Sequence, residues 1–479
     1  MPFRNRPFAL AALLANLILL PLPSHAAEAP AAAGHWEGEI QLPNNVGQLQ
    51  VMVDLSQDAG AWKGEIDIPA QGAKDLPLEG IAVEGSKVKF TIAGVPGAPT
   101  FDGALENGEI RGAFRQGGGA MTFRLGRQAV ELPRRPQEPK PPFPYAAEEV
   151  TYDNGGIKLA GTLTIPPGPG PFPAVLLITG SGTQDRDESL LGHKPFLVIA
   201  DHLSRHGIAV LRVDDRGAGG STGKVKDSTT ADFAQDALAG VRFLKGHPKI
   251  AAGRIGLLGH SEGGVIGPLA ASQSPDVAFV VMLAGTGVPG PEILYRQSEL
   301  ISRADGSSEE SIQRDREAMR KAFDVLRAEK DPATREARLK AVTREAVATM
   351  NEEDLKAAGG VDAAAEAQVR QMDTNWFRYF IDYDPRPALR KVKVPVLALN
   401  GGLDLQVPPS QNLPAIEKAL KEGGNKDFTV KELPGLNHLF QPAKTGSPNE
   451  YSGIEVTMDP AVLDLITGWI QARFGGTKP

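Results

Sequence analysis

The feature that constrains this chain most is Gly259 to Gly263, where a serine stands between glycines in the pattern G-x-S-x-G. The residues before it, Arg254 to Leu258, predict a short buried strand, and those after it, Gly264 to Ala271, predict an apolar helix. A serine in such a sharp turn adopts a strained backbone that lifts its hydroxyl clear of the sheet, and only glycines let strand and helix approach so closely. The context therefore predicts a nucleophilic Ser261. The alternative for the bare pattern is a glycine-rich turn without chemistry.

A nucleophilic serine needs a base, and the base needs an acid that orients it, in the chain order Ser, Asp or Glu, His. His438 is the one histidine downstream of the serine motif, and it lies in a loop after the strand-like segment Phe428 to Leu433. Asp404 lies at a glycine turn that follows the apolar strand Val394 to Leu399. We therefore predict a triad of Ser261, Asp404 and His438.

Both partners of the serine have an ordinary alternative. A lone histidine such as His438 can be a surface or core residue. An aspartate at a turn, such as Asp404, often hydrogen-bonds its own backbone. Asp427 and Asp459 are poorer candidates for the acid because neither follows an apolar strand.

Acyl transfer also needs backbone N–H donors for the oxyanion, one from the residue after the nucleophile and one from the loop after an early strand. The apolar strand Ala174 to Ile178 runs directly into the loop Thr179 to Asp187. We predict the N–H groups of Ser181 and Glu262 as the two donors. The charged run 185–187 is expected to pin this loop by ion pairs, with substrate contact as the alternative.

The loop Thr179 to Asp187, the segment Gly207 to Gly217, the serine motif and the two other triad positions together resemble the EstD-type carboxylesterases, a bacterial branch of the α/β-hydrolases. The resemblance covers about residues 148 to 475. It implies an α/β-hydrolase fold and a serine esterase that favours short acyl esters and uses the predicted triad. The sequence departs from the pattern at Thr179, where many α/β-hydrolases carry a histidine before the glycine.

Composition is typical of a globular enzyme with a small-molecule ester as its substrate. The chain is 41% hydrophobic, its net charge is −7, and it has no basic tract for nucleic acid. The absence of cysteine excludes disulfides, a thiol nucleophile and thiolate metal sites. His202 and His206 have a spacing that can hold a metal, but the Glu of a zincin motif is missing between them, so a helix face is the expectation. We expect neither a metal nor a cofactor.

Residues 1 to 26 are predicted to be a secretory signal peptide. Arg4 and Arg6 precede an apolar run from Phe8 to Leu20, which is short for a membrane span, and small residues suit cleavage after Ala26. A retained anchor is the alternative. We expect the mature protein in the periplasm or outside the cell, without stable membrane insertion.

Residues 34 to 130 predict a separate all-β domain, because short alternating segments are divided by Gly, Asp and Asn turns. The run Trp36 to Ile40 recurs as Trp62 to Ile66, which suggests an antiparallel barrel or sandwich. Ligand binding, a structural role and formation of a homodimer remain open for this domain. The proline-rich residues 131 to 147 predict a stiff linker, and residues 148 to 479 the catalytic domain.

An insertion over residues 290 to 390 is rich in Ala, Glu, Arg and Lys at helical spacing, and it predicts a helical cap over Ser261. Most of its charges are expected to lie on solvated helix faces. Trp376, Phe377 and Phe380 are predicted to wall the acyl pocket. The alternative is that these aromatics pack in the core of the cap, as aromatics at helical spacing usually do.

These features predict a serine carboxylesterase that hydrolyses short-chain acyl esters through an acyl-enzyme intermediate. One alternative is a serine peptidase of the prolyl-oligopeptidase-like type, which uses the same triad on the same sheet. The N-terminal domain is too small for the propeller that screens peptides in that family, but motifs alone do not separate amide from ester hydrolysis. A second alternative is a non-catalytic binding protein on a hydrolase scaffold, against which the intact triad argues.

Overall fold

The computed structural model describes residues 32–41, 48–58, 60–69, 73–95, 97–116, 119–129, 134–350, 355 and 358–475. The predicted signal peptide, residues 1 to 26, lies outside these ranges. Among the helices of the described ranges, none has both the length and the apolar character needed to cross a membrane.

The N-terminal domain is a closed antiparallel barrel, which decides between the two predicted all-β architectures. Each strand pairs with the next along the chain, and the last pairs with the first. Alternate residues point inward: Val88, Phe90 and Ile92 are buried, and Phe90 stacks on Phe101 with ring centroids 4.7 Å apart. The strands are β1 Gly34–Gln41, β2 Gln48–Asp58, β3 Ala61–Ile68, β4 Ala73–Glu84, β5 Lys87–Ile92, β6 Thr100–Glu106, β7 Glu109–Gln116 and β8 Gly119–Gly126.

The glycine of the recurring Trp-x-Gly-Glu-Ile sequence has a packing role in this barrel. A Cβ atom at Gly38 would lie 1.9 Å from the carbonyl oxygen of Arg124, and one at Gly64 would lie 2.6 Å from that of Asp54. Neighbouring strands therefore approach too closely for any side chain at these two positions. The first glycine of the repeat lies at the β1–β8 pair that closes the barrel, and the second lies between β2 and β3.

The second body is an α/β sheet whose central strands are parallel. Its strands are β9 Ala146–Asn154, β10 Ile157–Ile165, β11 Phe172–Ile178, β12 Ala209–Val213, β13 Ile250–His260, β14 Phe279–Leu283, β15 Val396–Gly401 and β16 Phe428–Leu433. Their spatial order is β16-β15-β14-β13-β11-β12-β10-β9, and β10 pairs antiparallel with both β9 and β12. A hydrophobic cluster covers each face of the sheet, as parallel strands require. This is the predicted α/β-hydrolase fold.

The predicted cap is a run of helices inserted between β14 and β15. In chain order the α-helices are α1 Pro195–Arg205, α2 Thr230–Gly246, α3 Gly263–Ala271, α4 Gly290–Ala304, α5 Glu309–Ala328, α6 Pro332–Val347, α7 Val361–Met372, α8 Asn375–Asp382, α9 Arg386–Lys391, α10 Pro409–Glu422 and α11 Pro460–Phe474. Helices α4 to α8 carry a small core of their own, which includes Phe323, Leu326, Leu339 and Ile381. The cap is thus a compact unit that lies on the sheet.

The proline-rich segment between the two bodies is packed against the α/β body. The Arg135 guanidinium donates to the carbonyl oxygens of Ser452 and Ile454, both at 2.9 Å. The Gln137 side chain donates to the carbonyl oxygen of Met458 at 2.7 Å and accepts from its N–H at 3.1 Å. Arg135 and Gln137 of the predicted linker are therefore held against the α/β body by hydrogen bonds.

Candidate active site

Ser261 lies in the turn between β13 and α3 with a φ of +52°, a region that residues other than glycine rarely adopt. A Cβ atom at Gly259 would lie 1.9 Å from the carbonyl oxygen of Gly263, and one at Gly263 would lie 2.1 Å from that of Ile178. The N–H of Ser261 donates to the carbonyl oxygen of Leu283 at 2.8 Å, which holds the strained turn. The predicted strand–turn–helix therefore forms, and its glycines are sterically required.

Asp404 and His438 form a buried pair beside this turn. Nδ1 of His438 lies 2.8 Å from Oδ2 of Asp404, and the two residues are 4% and 2% exposed. The other oxygen of Asp404 accepts the N–H groups of Gln406 and Val407, both at 2.8 Å. Because a carboxylate only accepts, Nδ1 of His438 carries its hydrogen and Nε2 is left as the basic atom. His438 and Ser261 line the same cleft, so the structure brings the three predicted residues together.

The two aspartates set aside in the sequence are engaged elsewhere. Asp427 pairs with Arg473 at 2.7 Å. Asp459 accepts the N–H of Ala461 at 2.8 Å as the N-cap of α11. Neither is placed to orient His438.

Ser181 and Glu262, the predicted oxyanion donors, both line the cleft with Ser261. The loop after β11 presses on the serine turn, since a Cβ atom at Gly180 would lie 3.3 Å from Cβ of Ser261. The N–H of Gly180 is already bound to the Glu188 carboxylate at 2.8 Å. Within the described ranges, no protein acceptor takes the N–H of Ser181 or of Glu262. Both amides are therefore available to a developing oxyanion.

The charged run at the end of this loop is held by ion pairs, as predicted. The Arg186 guanidinium binds Asp214 through two hydrogen bonds of 2.7 and 3.0 Å. Asp187 pairs with Arg212, which is 6% exposed. The partners lie on β12 and directly after it, so the oxyanion loop is fixed to a neighbouring strand.

Thr179, where the sequence departs from many α/β-hydrolases, also anchors this loop. Its hydroxyl donates to Oδ1 of Asp215 at 2.8 Å, and the N–H of Gln184 donates to Oδ2 at 2.9 Å. Burial raises the pKa of the Asp215 carboxyl to about 7, against the opposing effect of these two hydrogen bonds. The Asp215 carboxyl group therefore links two residues of the loop, Thr179 and Gln184.

Sequence reasoning missed a second histidine–carboxyl pair directly behind the serine turn. Nδ1 of His260 lies 3.0 Å from Oε1 of Glu188, and Nε2 lies 3.0 Å from the carbonyl oxygen of His438. The carbonyl oxygen can only accept, so Nε2 carries a hydrogen, and a second hydrogen on Nδ1 makes the ring an imidazolium. Burial lowers the pKa of His260, but the charge of Glu188 and the hydrogen bonds of the ring outweigh it and raise that pKa. The pair joins the oxyanion loop to the His438 loop.

The three cap aromatics separate into two groups. Trp376 and Phe380 line the cleft, and their rings stack with centroids 5.5 Å apart. Phe377 packs instead in the core of the cap, where its ring lies 5.9 Å from that of Phe323. The prediction that Phe377 walls the pocket is therefore wrong, because adjacent residues on a helix point about 100° apart.

The cleft over Ser261 encloses about 1070 Å³, including its open mouth. Besides the two cap aromatics, its walls include aliphatic side chains: Leu190, Ile293, Leu294, Val407 and Leu439. No Lys or Arg occurs among the described residues that line it, and its two carboxyl groups, Glu188 and Glu262, accept hydrogen bonds from protein donors. The site thus offers a largely apolar surface, which suits an uncharged acyl group.

His202 and His206 each lie beside a protein oxygen. Nδ1 of His206 donates to the carbonyl oxygen of His202 at 2.7 Å, and Nε2 of His202 lies 3.4 Å from Asp464. In the part of the chain that the structure describes, no three His, Asp or Glu side chains are grouped to hold a metal ion.

A model of the X-Pro dipeptidyl-peptidase family (S15 family) matches residues 155–428, more than half of the chain. The chain belongs to this family. The matched region contains Ser261 and Asp404 and ends before His438. Family membership and the sheet topology together make the chain an α/β-hydrolase.

The chain is also similar to characterised relatives. Esterase EstD of Thermotoga maritima is 28% identical over 314 residues, which are 65% of this chain and 65% of EstD. Acyl-coenzyme A thioesterase 1 of Rattus norvegicus is 30% identical over 146 residues, which are 30% of this chain and 31% of that enzyme. The chain therefore spans less than two thirds of the length of either relative. The likeness to EstD confirms the resemblance to the EstD-type carboxylesterases that the sequence motifs indicated.

Among solved structures, the esterase PF2001 of Pyrococcus furiosus matches with a TM-score of 0.42 and 15% identity. The match covers 73% of this chain and 100% of that protein.

Proposed function

We propose that this protein is a serine carboxylesterase that hydrolyses short-chain acyl esters through an acyl-enzyme intermediate. The observation that carries the proposal is the buried His438–Asp404 hydrogen bond beside a serine held at positive φ. The likeness to EstD supports an ester as the substrate. The charge, burial and backbone strain concentrated here would be costly in a non-catalytic binding protein.

Each residue of the site has its own role in ester hydrolysis. Nε2 of His438 takes the hydroxyl proton of Ser261 while Oγ attacks the ester carbonyl, and the oxyanion binds the N–H groups of Ser181 and Glu262. Asp404 holds the imidazole in the correct tautomer and stabilises the imidazolium. The proton then passes to the leaving alkoxide, the acyl-enzyme remains, and water repeats the cycle to release the acid and free Ser261.

The cleft supports small, uncharged acyl groups. Trp376 and Phe380 of the cap line it, and aliphatic side chains such as Leu190 and Val407 form other parts of its walls. An apolar pocket gains about 0.8 kcal/mol for each methylene that fits, until the wall is met. Short acyl chains are therefore the proposed substrates.

Family membership favours a second candidate, removal of Xaa-Pro dipeptides from peptide N-termini. Such a substrate carries a free ammonium group that needs a carboxylate partner. The two carboxyl groups that line the cleft, Glu188 and Glu262, are already bound by protein donors. This arrangement supports an ester over a dipeptide.

A substrate profile of the purified protein separates the candidates. We expect turnover of p-nitrophenyl acetate and butyrate, weaker turnover of the octanoate, and none of Gly-Pro-p-nitroanilide or of acetyl-coenzyme A. The Ser261→Ala variant should lose ester turnover while keeping the wild-type circular dichroism spectrum. Preference for the anilide would establish the peptidase, and preference for the thioester would establish a thioesterase.

We also propose that the protein is exported, on the strength of residues 1 to 26 alone. Expression of the full chain in a bacterium should yield a periplasmic form that begins at Ala27. N-terminal sequencing of the fractionated protein measures this. An uncut form in the membrane fraction would instead establish a retained anchor.

A further inference from the structure

The side chain of Glu262, the residue after the nucleophile, joins the serine turn to two other elements. Its carboxyl group accepts the Thr230 hydroxyl, on the first turn of α2, at 2.8 Å. It accepts the indole N–H of Trp376, on α8 of the cap, at 2.8 and 3.0 Å. Acyl transfer as described above uses neither of these side-chain contacts.

This carboxyl group is almost completely buried, since Glu262 is 4% exposed. Burial raises its pKa, and the hydrogen bonds from Trp376 and Thr230 act in the opposite direction. A buried carboxyl group is unfavourable without hydrogen-bond partners, so these donors are needed to keep it in place. The group therefore has a fixed position only while its partners keep theirs.

We propose that the Glu262 carboxyl is a positioning group that couples the cap to the oxyanion hole. The inference rests on the proposed function. Glu262 also carries one of the two amides assigned to the oxyanion. Because its carboxyl group is bound to Trp376, the position of α8 sets the position of that amide.

Helix α8 is well placed to transmit such a constraint. A Cβ atom at Gly290, the first residue of α4, would lie 2.1 Å from the carbonyl oxygen of Phe380, so α4 and α8 meet backbone to backbone. At the start of α8, the Asn375 amide donates to the carbonyl oxygen of Asp227 at 3.4 Å. The Trp376–Glu262 bond attaches the same helix to the serine turn itself.

A positioning role has a kinetic signature. An amide that is displaced by a fraction of an ångström binds the transition-state oxyanion less well but barely changes ground-state binding. Loss of the network should therefore lower kcat and leave KM for a short ester almost unchanged. A role confined to packing would change the thermal midpoint without this split.

The test measures kcat and KM on p-nitrophenyl acetate for Glu262→Gln, Trp376→Phe, Thr230→Val and the Glu262→Gln/Trp376→Phe double variant. Trp376→Phe keeps an aromatic ring and removes the indole N–H, so we expect kcat to fall about tenfold at constant KM. Thr230→Val should cause a smaller loss of the same kind, and Thr230→Ser, which restores a hydroxyl, should recover most of it. The double variant should lose no more than the more impaired of its two parents, because both changes act on one bond.

Phe377→Leu is the matched control for lost aromatic bulk on α8, because Phe377 packs on the core of the cap and does not line the cleft. It should leave kcat on the acetyl ester within twofold of wild type. Wild-type kcat in Trp376→Phe, or losses that multiply in the double variant, would overturn the coupling. Ser261→Ala, assayed in parallel, keeps the two proposals distinct: residual turnover there overturns the esterase assignment, whereas normal Trp376→Phe kinetics overturns only the positioning role.

Discussion

The α/β body and the cap contribute to the site in different ways. In the body, Ser261, Asp404 and His438 follow the carboxyl ends of β13, β15 and β16, so backbone geometry brings them together. The cap reaches the cleft through side chains of two helices, α4 and α8, and Trp376 of α8 binds Glu262 of the serine turn. The positions of the three residues therefore follow from the fold of the body, while the fit of the acyl group depends on how two helices of the cap pack.

The ion pairs next to the site differ from those on the cap surface. Asp187 and Arg212, which fix the oxyanion loop, form a buried pair, whereas cap pairs such as Arg314 with Glu310 lie on exposed helix faces. The cap also has a buried pair, Arg335 with Asp373. Breaking a buried pair costs about 3–5 kcal/mol. An exposed pair contributes about 0–1 kcal/mol. Substitutions of the pairs that fix the oxyanion loop should therefore change catalysis by large factors, and substitutions of exposed cap charges should change little.

The largest effect is expected at the triad. His438→Ala should lower kcat by at least about 10⁴-fold, because it removes the base that activates Ser261. Asp404→Asn should leave slightly more activity, since the acid orients the base but does not transfer the proton. Steady-state kinetics on p-nitrophenyl acetate measure both. Activity within tenfold of wild type in His438→Ala would place the base elsewhere.

The next effect concerns the pair behind the serine turn. Glu188→Gln should lower kcat by about 100-fold, because Glu188 holds the oxyanion loop and His260 holds the carbonyl group of His438. The raised pKa of His260 implies a stabilisation that is complete below pH 6.5 and is lost as pH rises through the folded-state pKa. Thermal midpoints from pH 5 to 9 should therefore fall less steeply in Glu188→Gln than in wild type. If the thermal midpoints of the two proteins change in parallel with pH, the Glu188–His260 pair carries no buried charge.

A smaller effect is expected when the barrel is removed. A chain that starts at residue 134 keeps Arg135 and Gln137, and it should retain acetyl-ester turnover within about tenfold, or 1.4 kcal/mol of barrier. A chain that starts at residue 148 loses both side chains and part of β9, so its thermal midpoint should be lower. The comparison uses calorimetry and kinetics on both chains. A folded but inactive 134–479 chain would show that the barrel completes the site.

The smallest effect is expected at the cap aromatics. Phe380→Ala should extend the preferred acyl chain by opening the cleft, with about a fourfold gain for each added methylene that fits. Phe377→Ala should leave the chain-length profile unchanged and lower stability by about 3 kcal/mol, as for a truncated core aromatic. Kinetics on esters of increasing length and urea unfolding measure the two effects. An identical profile for both variants would remove α8 from the acyl pocket.

Local patterns predicted the body well because its geometry is encoded locally. The strand Phe428–Leu433 has the predicted bounds, and the glycines around Ser261 occupy the close contacts that the motif requires. The Glu188–His260 pair could not be predicted, since nothing in either neighbourhood indicates that the two side chains meet. Phe377 was misplaced for a related reason: helical spacing fixes which residues share a face, but tertiary packing decides what that face meets.

Covalent labelling shows whether Ser261 is the nucleophile that forms the acyl-enzyme. The wild-type protein is treated with a fluorophosphonate probe, digested and analysed by mass spectrometry, with His438→Ala as a comparison that keeps the serine but lacks the base. We expect one adduct, on the peptide that contains Ser261, and strongly reduced labelling in His438→Ala. An adduct on a different serine, or equal labelling of the two proteins, would contradict that role of Ser261.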